Sequence, residues 1–391
     1  MALSSLPDSI RPAWREAAQA RRASYLETLQ ALVESESPTR NRAATDSTAA
    51  LLKTMLEQRG WQVSSAPRNP LQDAEDLGDH IIARWPAEGD DNTLLLAHYD
   101  TVWPVGTLET MPYTLEDDRA YGPGSLDMKA GITASIEALA LIQAEQARLR
   151  GPVTLLISSD EEIGSISSRV LIEDLAKQHQ RVLVVEPGRD DGALKVGRKG
   201  TAMFRARFQG VSAHAGNNPE DGASALRELA HFLLYAENLQ DSSKQTSVNL
   251  TVAQGGSVSN VIAENAQASL DMRVLDVAEA ERVDSALRHY QPQDKRVSLQ
   301  LEGGLNRPPL ALTPANQALF EEANALGAAM NLHWEGAIVG GGSDGNFTSA
   351  LGIPTLDGLG SVGQGPHARH EHIRIRDSLD RLALLAALLV G

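Results

Sequence analysis

Three apolar runs in this chain each end in a histidine or a carboxylate. Leu94-Leu95-Leu96-Ala97 leads into His98-Tyr99-Asp100, residues 153–158 lead into Ser159-Asp160-Glu161-Glu162, and residues 182–185 lead into Glu186-Pro187-Gly188. Two glycine-rich loops add one residue each, Gly122-Pro123-Gly124-Ser125-Leu126-Asp127 and Gly363-Gln364-Gly365-Pro366-His367. Imidazole nitrogen and carboxylate oxygen form the donor set of zinc and of other first-row divalent ions. The chain has no cysteine, so disulfides and thiolate sites are excluded, and a transition metal must rest on nitrogen and oxygen. Singly, each residue has an ordinary reading. A carboxylate after a strand is usually a solvated turn, and Asp127 by local pattern fits the N-cap of the helix that follows. Three strands ending the same way set these residues apart.

The elements that must position them are legible in the apolar spacing. Residues 24–35 and 43–59 carry helical periodicity, with Gly60 as a stop. Short apolar runs bounded by turn residues predict strands at 80–85, 93–97, 153–158 and 182–185, with a helix over 132–145. Strands alternating with helices indicate an α/β sheet covered on both faces, and ligands bind such sheets beyond the carboxyl ends of the strands. Near residue 200 the texture changes. Strand patterns at 201–208, 247–253, 266–274 and 297–301 are interleaved with helical patterns at 222–239 and 278–290. That β-α-β-β-α-β order is the ferredoxin-like arrangement. After Arg307-Pro308-Pro309 the first texture resumes, with a helix, a strand at 336–340 and a closing helix. The expected organisation is a large α/β domain of residues 1–198 and 310–391, interrupted by an inserted α+β domain of residues 199–309.

Composition narrows the classes of partner. Hydrophobic residues make up 42% and charged residues 22%, as in a globular protein and unlike a disordered or fibrous one. The formal net charge of -16 argues against nucleic acid. The most apolar stretch, residues 382–390, is far shorter than the roughly 20 residues a bilayer requires, so no membrane span is expected. Residues 1–11 hold a proline, an aspartate and no apolar run, which makes a secretory signal unexpected and a cytoplasmic location the default.

The ordered set of His-x-Asp, a Gly-rich loop ending Asp-Met-Lys-Ala-Gly, Asp-Glu-Glu-x-Gly, Val-Glu-Pro and a late His resembles the co-catalytic zinc aminoacylase/carboxypeptidase family. The glutamate carboxypeptidase branch is nearest, through Asp127-Met128-Lys129-Ala130-Gly131, Glu186-Pro187 and Gly341-Gly342-Ser343-Asp344. The likeness covers nearly the whole chain. It implies a zinc-peptidase domain with a mixed sheet between helices, an inserted ferredoxin-like dimerisation domain, and two Zn2+ per chain that Co2+ or Mn2+ could replace. His98 and Glu186 would each complete one ion's shell alongside Glu162 and His367, with Asp127 bridging both ions. Asp100 would accept the other ring N–H of His98. Glu161 would be the general base, carrying a proton from water to the leaving amine. The resemblance also implies a cis peptide between Asp127 and Met128. Among the late histidines, His367 matches in preference to His370 and His372 because Glu371 follows it by four residues.

In the insert, the resemblance gives His214 contact with a substrate or transition-state oxygen, acting across a homodimer that open sheet edges invite. Asn260 and Arg273 would hold a substrate carboxylate, and Arg307 at the domain junction would add a charge that favours an acidic side chain. The implied activity is a metal-dependent amidohydrolase or carboxypeptidase. It would release a C-terminal amino acid, glutamate or another acidic residue, from a peptide, folate-like or N-acyl substrate with a free carboxylate. Deacylation of N-acyl or N-succinyl amino acids at the same site is the alternative. Ser343 is carried as a substrate contact and also has a rival role. Gly341-Gly342-Ser343-Asp344-Gly345 fits the G-x-S-x-G nucleophile elbow, with Asp357 and a histidine following in serine-esterase order. Residues 358–363 fit a dinucleotide fingerprint but lack the βαβ unit that it requires. A non-catalytic relative would lack the base or a ligand, and here all are present.

Overall fold

The computed structural model describes residues 12–69 and 74–391, so the reading of residues 1–11 lies outside the described residues. In chain order come α1 (Pro12–Ala20), α2 (Arg22–Val33), α3 (Arg42–Gln58), β1 (Gln62–Ala66), β2 (His80–Trp85) and β3 (Thr93–His98). Next are β4 (Thr114–Glu116), β5 (Arg119–Tyr121), α4 (Ala130–Ala144), β6 (Val153–Ser158), α5 (Arg169–Ala176), β7 (Arg181–Val184) and β8 (Leu194–Arg198). The chain continues through β9 (Gly200–Gln209), α6 (Ala225–Glu237), β10 (Ser247–Gly255), β11 (Asn265–Val274), α7 (Val277–His289) and β12 (Ser298–Arg307). It closes with α8 (Pro314–Ala329), β13 (Gly336–Val339), α9 (Gly345–Ala350), β14 (Thr355–Leu356), β15 (Gly363–Gln364), β16 (His372–Arg374) and α10 (Ile375–Leu389). No helix among the described residues is long and apolar enough to cross a membrane.

Two compact units result. The first takes the chain up to Gly197 together with Ala311–Val339 and Ser343–Gly391, and the second takes Arg198–Leu310 with Gly340–Gly342. The main sheet of the first unit has the order β1-β2-β6-β3-β7-β14. Strands β6, β3, β7 and β14 run parallel, while β2 is antiparallel to β6 and β1 to β2, which makes a mixed sheet. Because side chains alternate along a strand, the sheet feeds two cores. Leu95, Ala97, Leu155, Ile157 and Leu183 pack with residues of α2, α4 and α10. Leu94, Leu96, Leu156, Val182 and Val184 pack with Ile172 and Leu175 of α5 and Phe347 of α9. Burial on both faces is why these strands read as continuous apolar runs.

The second unit is a four-stranded antiparallel sheet of order β10-β11-β9-β12, built from two split βαβ units. Its inner face sets Phe204 and Phe208 of β9 and Leu270 and Met272 of β11 against Leu229 and Phe232 of α6 and Val283 and Leu287 of α7.

Candidate metal centre

Strand order places the site. β3 lies between β6 and β7, so His98 at its end is flanked by the Glu161–Ile163 turn after β6 and by Glu186 after β7. A separate small sheet of order β15-β16-β5-β4 brings in the two glycine-rich loops. His367 sits on the turn joining β15 to β16, and β16 pairs with β5 in the register His372↔Tyr121. That pairing lays the loop running from Tyr121 to Asp127 beside the turn of His367. Gly131, at the start of α4, has a steric reason to be glycine. A Cβ there would stand 1.9 Å from the Val185 carbonyl oxygen, directly before Glu186.

The two oxygens of Asp127 face different histidines. Oδ1 is 3.2 Å from His98 Nε2, and Oδ2 is 3.4 Å from His367 Nε2. On the first side, Glu186 Oε1 is 3.4 Å from His98 Nε2, and on the second, Glu162 Oε2 is 3.2 Å from His367 Nε2. His98 and Glu186 therefore lie on one side of Asp127 and Glu162 and His367 on the other, whereas the sequence reading divides His98 and Glu186 between two ions. The Asp127–Met128 peptide is cis.

These distances suit a metal. Ligands around zinc at bonds of about 2.0–2.1 Å stand roughly 3.3 Å apart along a tetrahedral edge. Ligand atoms of His98, Asp127 and Glu162 lie within 4.8 Å of one another, as do those of His98, Glu161 and Glu186. The carboxylates of Asp100, Asp127, Glu161, Glu162 and Glu186 outnumber the two imidazoles, a surplus of negative charge that cations would balance. Without them the imidazoles hold protons. Burial opposes a charge on His98, yet hydrogen bonds to Asp100, Asp127 and Glu186 carry its pKa well above the usual value. Hydrogen bonds to Asp127 and Glu162 raise His367 to about 10. Burial also opposes ionisation of Asp127, but His367 and His98 hold it far below the carboxylate range. Glu162 is pushed up to about 6, mainly by burial.

Asp100 organises the neighbours. His98 Nδ1 is 3.0 Å from the Asp100 main-chain oxygen and 3.3 Å from its Oδ1, so the carbonyl and the carboxylate share the ring N–H. The same carboxylate accepts from the main-chain amides of Glu161 and Glu162, at 3.2 Å each, and from Thr39 Oγ1 at 2.8 Å. One buried aspartate thus fixes both a histidine tautomer and the turn carrying two glutamates.

The other late histidines stand apart. His372 is buried and packs on Tyr121 with ring centroids 4.9 Å apart, while His370 lies against Gly365. His367 adopts a left-handed φ of 60°, in a turn where Ala368 N donates to Gly365 O. Ser343 is a correction. It is wholly buried, its hydroxyl donates to Asp357 Oδ2 at 2.5 Å, and it accepts from Gly345 N at 3.1 Å. No imidazole is among these partners, so the arrangement of a serine nucleophile is absent there and the buried hydroxyl pins a loop.

In the second unit, exposed His214 accepts from Gly216 N and Asn217 N through Nδ1, at 3.1 and 3.0 Å, which leaves the proton on Nε2. Asn260 is exposed, and its main-chain oxygen accepts from Ala215 N. Arg273 grips Asp271 bidentately at 2.8 and 2.7 Å, and Arg307 is buried at the end of β12.

Three carboxylates escaped the sequence reading. Asp160 accepts from the amides of Ser167 and Ser168, and burial raises its pKa to about 6. Asp344 accepts from Ser158 Oγ and Ser165 Oγ. Glu371 takes four N–H donors, and burial pushes it up to about 7 against their pull. The motif Gly-Gly-Ser-Asp and the Glu that follows His367 were the available signals.

The chain has relatives among known proteins. Over 96% of its length the chain is 30% identical to carboxypeptidase G2 of Pseudomonas sp. (strain RS-16), covering 91% of that protein. It is 28% identical to succinyl-diaminopimelate desuccinylase of Acinetobacter baumannii over 76% of this chain and 82% of the relative. The crystal structure of aminopeptidase PepT from Bacillus cereus shares the fold, with a TM-score of 0.77 at 21% identity over 94% of this chain and 98% of that one. Residues 94–390 match a single family description, and on that match the chain belongs to peptidase family M20/M25/M40 and is a hydrolase.

Proposed function

We propose that the protein is a two-metal exopeptidase or amidohydrolase that releases a C-terminal, preferably acidic, amino acid from a peptide, folate-like or N-acyl substrate. The observation that carries this reading is the pair of Asp127 oxygens turned to His98 and His367. His98 with Glu186, and Glu162 with His367, would hold one ion each, Zn2+ first and Co2+ or Mn2+ in its place. When bound, the two cations supply a water of lowered pKa and polarise the scissile carbonyl. Glu161, on the turn that Asp100 fixes, takes the proton from the attacking water and returns it to the leaving amine. His214 presents a fixed Nε2–H, the form needed to donate to a developing oxyanion. The likeness to a desuccinylase favours a second reading, removal of an acyl group from an N-acyl amino acid, which uses the same machinery.

Recognition of a free carboxylate is assigned to Arg273 with Asn260, and Arg307 adds charge for an acidic side chain. Asp271 holds the Arg273 fork in one orientation, as bidentate recognition requires. Arg273→Ala is expected to raise KM by about 10–100-fold, equivalent to the ~1.5–3 kcal/mol of a charge-assisted hydrogen bond. Amidating the substrate carboxylate should do equal damage, and the two losses should not add. Equal turnover of a free acid and its amide would count against a carboxypeptidase while leaving the metal chemistry intact.

Homodimerisation through the second unit belongs to this reading. β10 is a sheet edge, and Leu250 and Val252 on it and Leu226 and Leu234 on α6 are exposed. A groove of about 290 Å³ runs between α6 and β10, lined by Leu234, Glu237, Val248 and Leu250. An unpaired edge beside exposed leucines is a pairing surface. The native mass is expected to be twice the 41.9 kDa of the chain. A fully active species of single-chain mass, seen by light scattering, would refute it.

A further inference from the structure

Glu371 is wholly buried four residues after His367, and among the described residues its carboxylate accepts from four N–H groups. Oε1 accepts from Leu126 N at 2.9 Å and Asp127 N at 3.0 Å, and Oε2 from Gly124 N at 3.0 Å and Trp103 Nε1 at 2.9 Å. Its main chain takes part as well. The carbonyl oxygen accepts from Gly122 N at 3.3 Å, and the amide donates to Ala368 O at 2.9 Å, closing the turn of His367. One residue therefore ties together three segments: the glycine-rich loop of Asp127, the segment that follows Asp100, and the turn of His367.

The donors identify what is being held. Leu126 N and Asp127 N belong to the two residues whose main chain leads into the Cα of residue 127, so fixing them constrains the direction in which the Asp127 carboxylate leaves the chain. That carboxylate has little latitude, because its two oxygens must face imidazole nitrogens on opposite sides. Four donors also require four acceptor positions. A carboxylate offers about four, whereas an amide offers two and would turn its own N–H groups against donors.

We propose that Glu371 is a positioning residue of the metal centre, holding the main chain of residues 122–127 so that Asp127 can bridge two ions. The inference rests on the two-metal reading above. It names a residue that touches neither ion nor substrate and acts through Asp127.

The test titrates metal-free wild type and Glu371→Gln with Zn2+ by calorimetry and records the visible spectrum of each protein loaded with Co2+. The variant is expected to keep its circular dichroism and to lose about 10–100-fold in affinity for at least one ion, the usual cost of removing a group that orients a ligand. Its Co2+ bands should shift or weaken. A variant that takes up two ions with wild-type affinity and an unchanged Co2+ spectrum, even with a lowered melting temperature, overturns the proposal and leaves Glu371 a loop pin. Should Glu371→Gln not fold, Glu371→Asp carries the same readouts and the same outcomes, since its carboxylate retreats by one methylene and cannot span all four donors. A wild type that takes up no ion overturns the two-metal reading and this inference with it. Two ions in the wild type beside an unaffected variant overturn this inference alone.

Discussion

Exhaustive removal of divalent cations is expected to abolish turnover, and Zn2+, Co2+ or Mn2+ should restore it. Without a cation, neither imidazole of the cluster is available to take a proton from water near neutral pH. The two imidazoles are held as imidazolium by their carboxylate partners, His367 up to a pKa of about 10 and His98 well above its usual value, so neither is a base. A cation that lowers the pKa of water from about 15.7 to about 7 removes that obstacle. The same protons set the pH dependence. A metal binds the neutral imidazole, so each ion must displace the proton its histidine carries. Apparent affinity should therefore rise with pH through the neutral range, by up to about one decade per unit for each proton released, and level off only as pH approaches the His367 value. Elemental analysis showing no metal in a preparation that stays active in chelator would end the reading. An affinity that is flat from about pH 6 to 9 would show instead that no histidine proton is displaced by the metal in that range.

Glu161→Gln should lower kcat by about 10²–10⁴ with metal content nearly unchanged, because it removes a proton carrier. Glu162→Gln should instead weaken retention of an ion, since Glu162 is the residue within 3.2 Å of His367 Nε2. The contrast is sharp because the two residues are neighbours on one turn. Their main-chain amides both donate to Asp100, so either substitution leaves the turn equally supported. Metal analysis alongside steady-state kinetics separates the two. If both variants lose metal alike, or both keep it and lose the same rate, the assignment of base to Glu161 and ligand to Glu162 is wrong.

The sequence made the central strands legible because they are buried on both faces. His80–Trp85 and Val153–Ser158 were expected over the same residues that form β2 and β6. β1, Gln-Val-Ser-Ser-Ala at the sheet edge, carries too little apolar pattern to be seen, and β14, β15 and β16 are only two or three residues long. Three of the five candidate ligands, His98, Glu162 and Glu186, were visible because histidine and carboxylate after an apolar run is an unusual ending for several strands at once, whereas Asp127 and His367, on glycine-rich loops, came from the family resemblance. Which of them face one another was not visible, since that depends on how segments distant in sequence are brought together, which leaves no local mark. Ser343 misled for a related reason. A serine between glycines has the pattern of an elbow, whereas its burial and its bond to Asp357 are set by residues distant in sequence. Glu371 was noticed only as a marker for His367, because a side chain that binds main-chain amides imposes no residue type on its partners.

The interruption of the first unit has a consequence for biosynthesis. Residues Arg198–Leu310 are a contiguous stretch of chain with a core of their own, whereas β14, the turn of His367 and α10 are made only after them. At about 5–20 residues per second, translating that stretch takes on the order of ten seconds. Throughout that interval the edge of β7 awaits β14, and the face of α4 awaits the leucines of α10. The nascent polypeptide thus carries most of the second unit while the sheet of the first is half covered, the state in which a ribosome-associated chaperone has most to shield. His98, Asp127, Glu162 and Glu186 emerge early, but under the proposed two-metal reading the ligand set would be complete only once His367 has left the ribosome, so loading of both ions would follow translation of the insert.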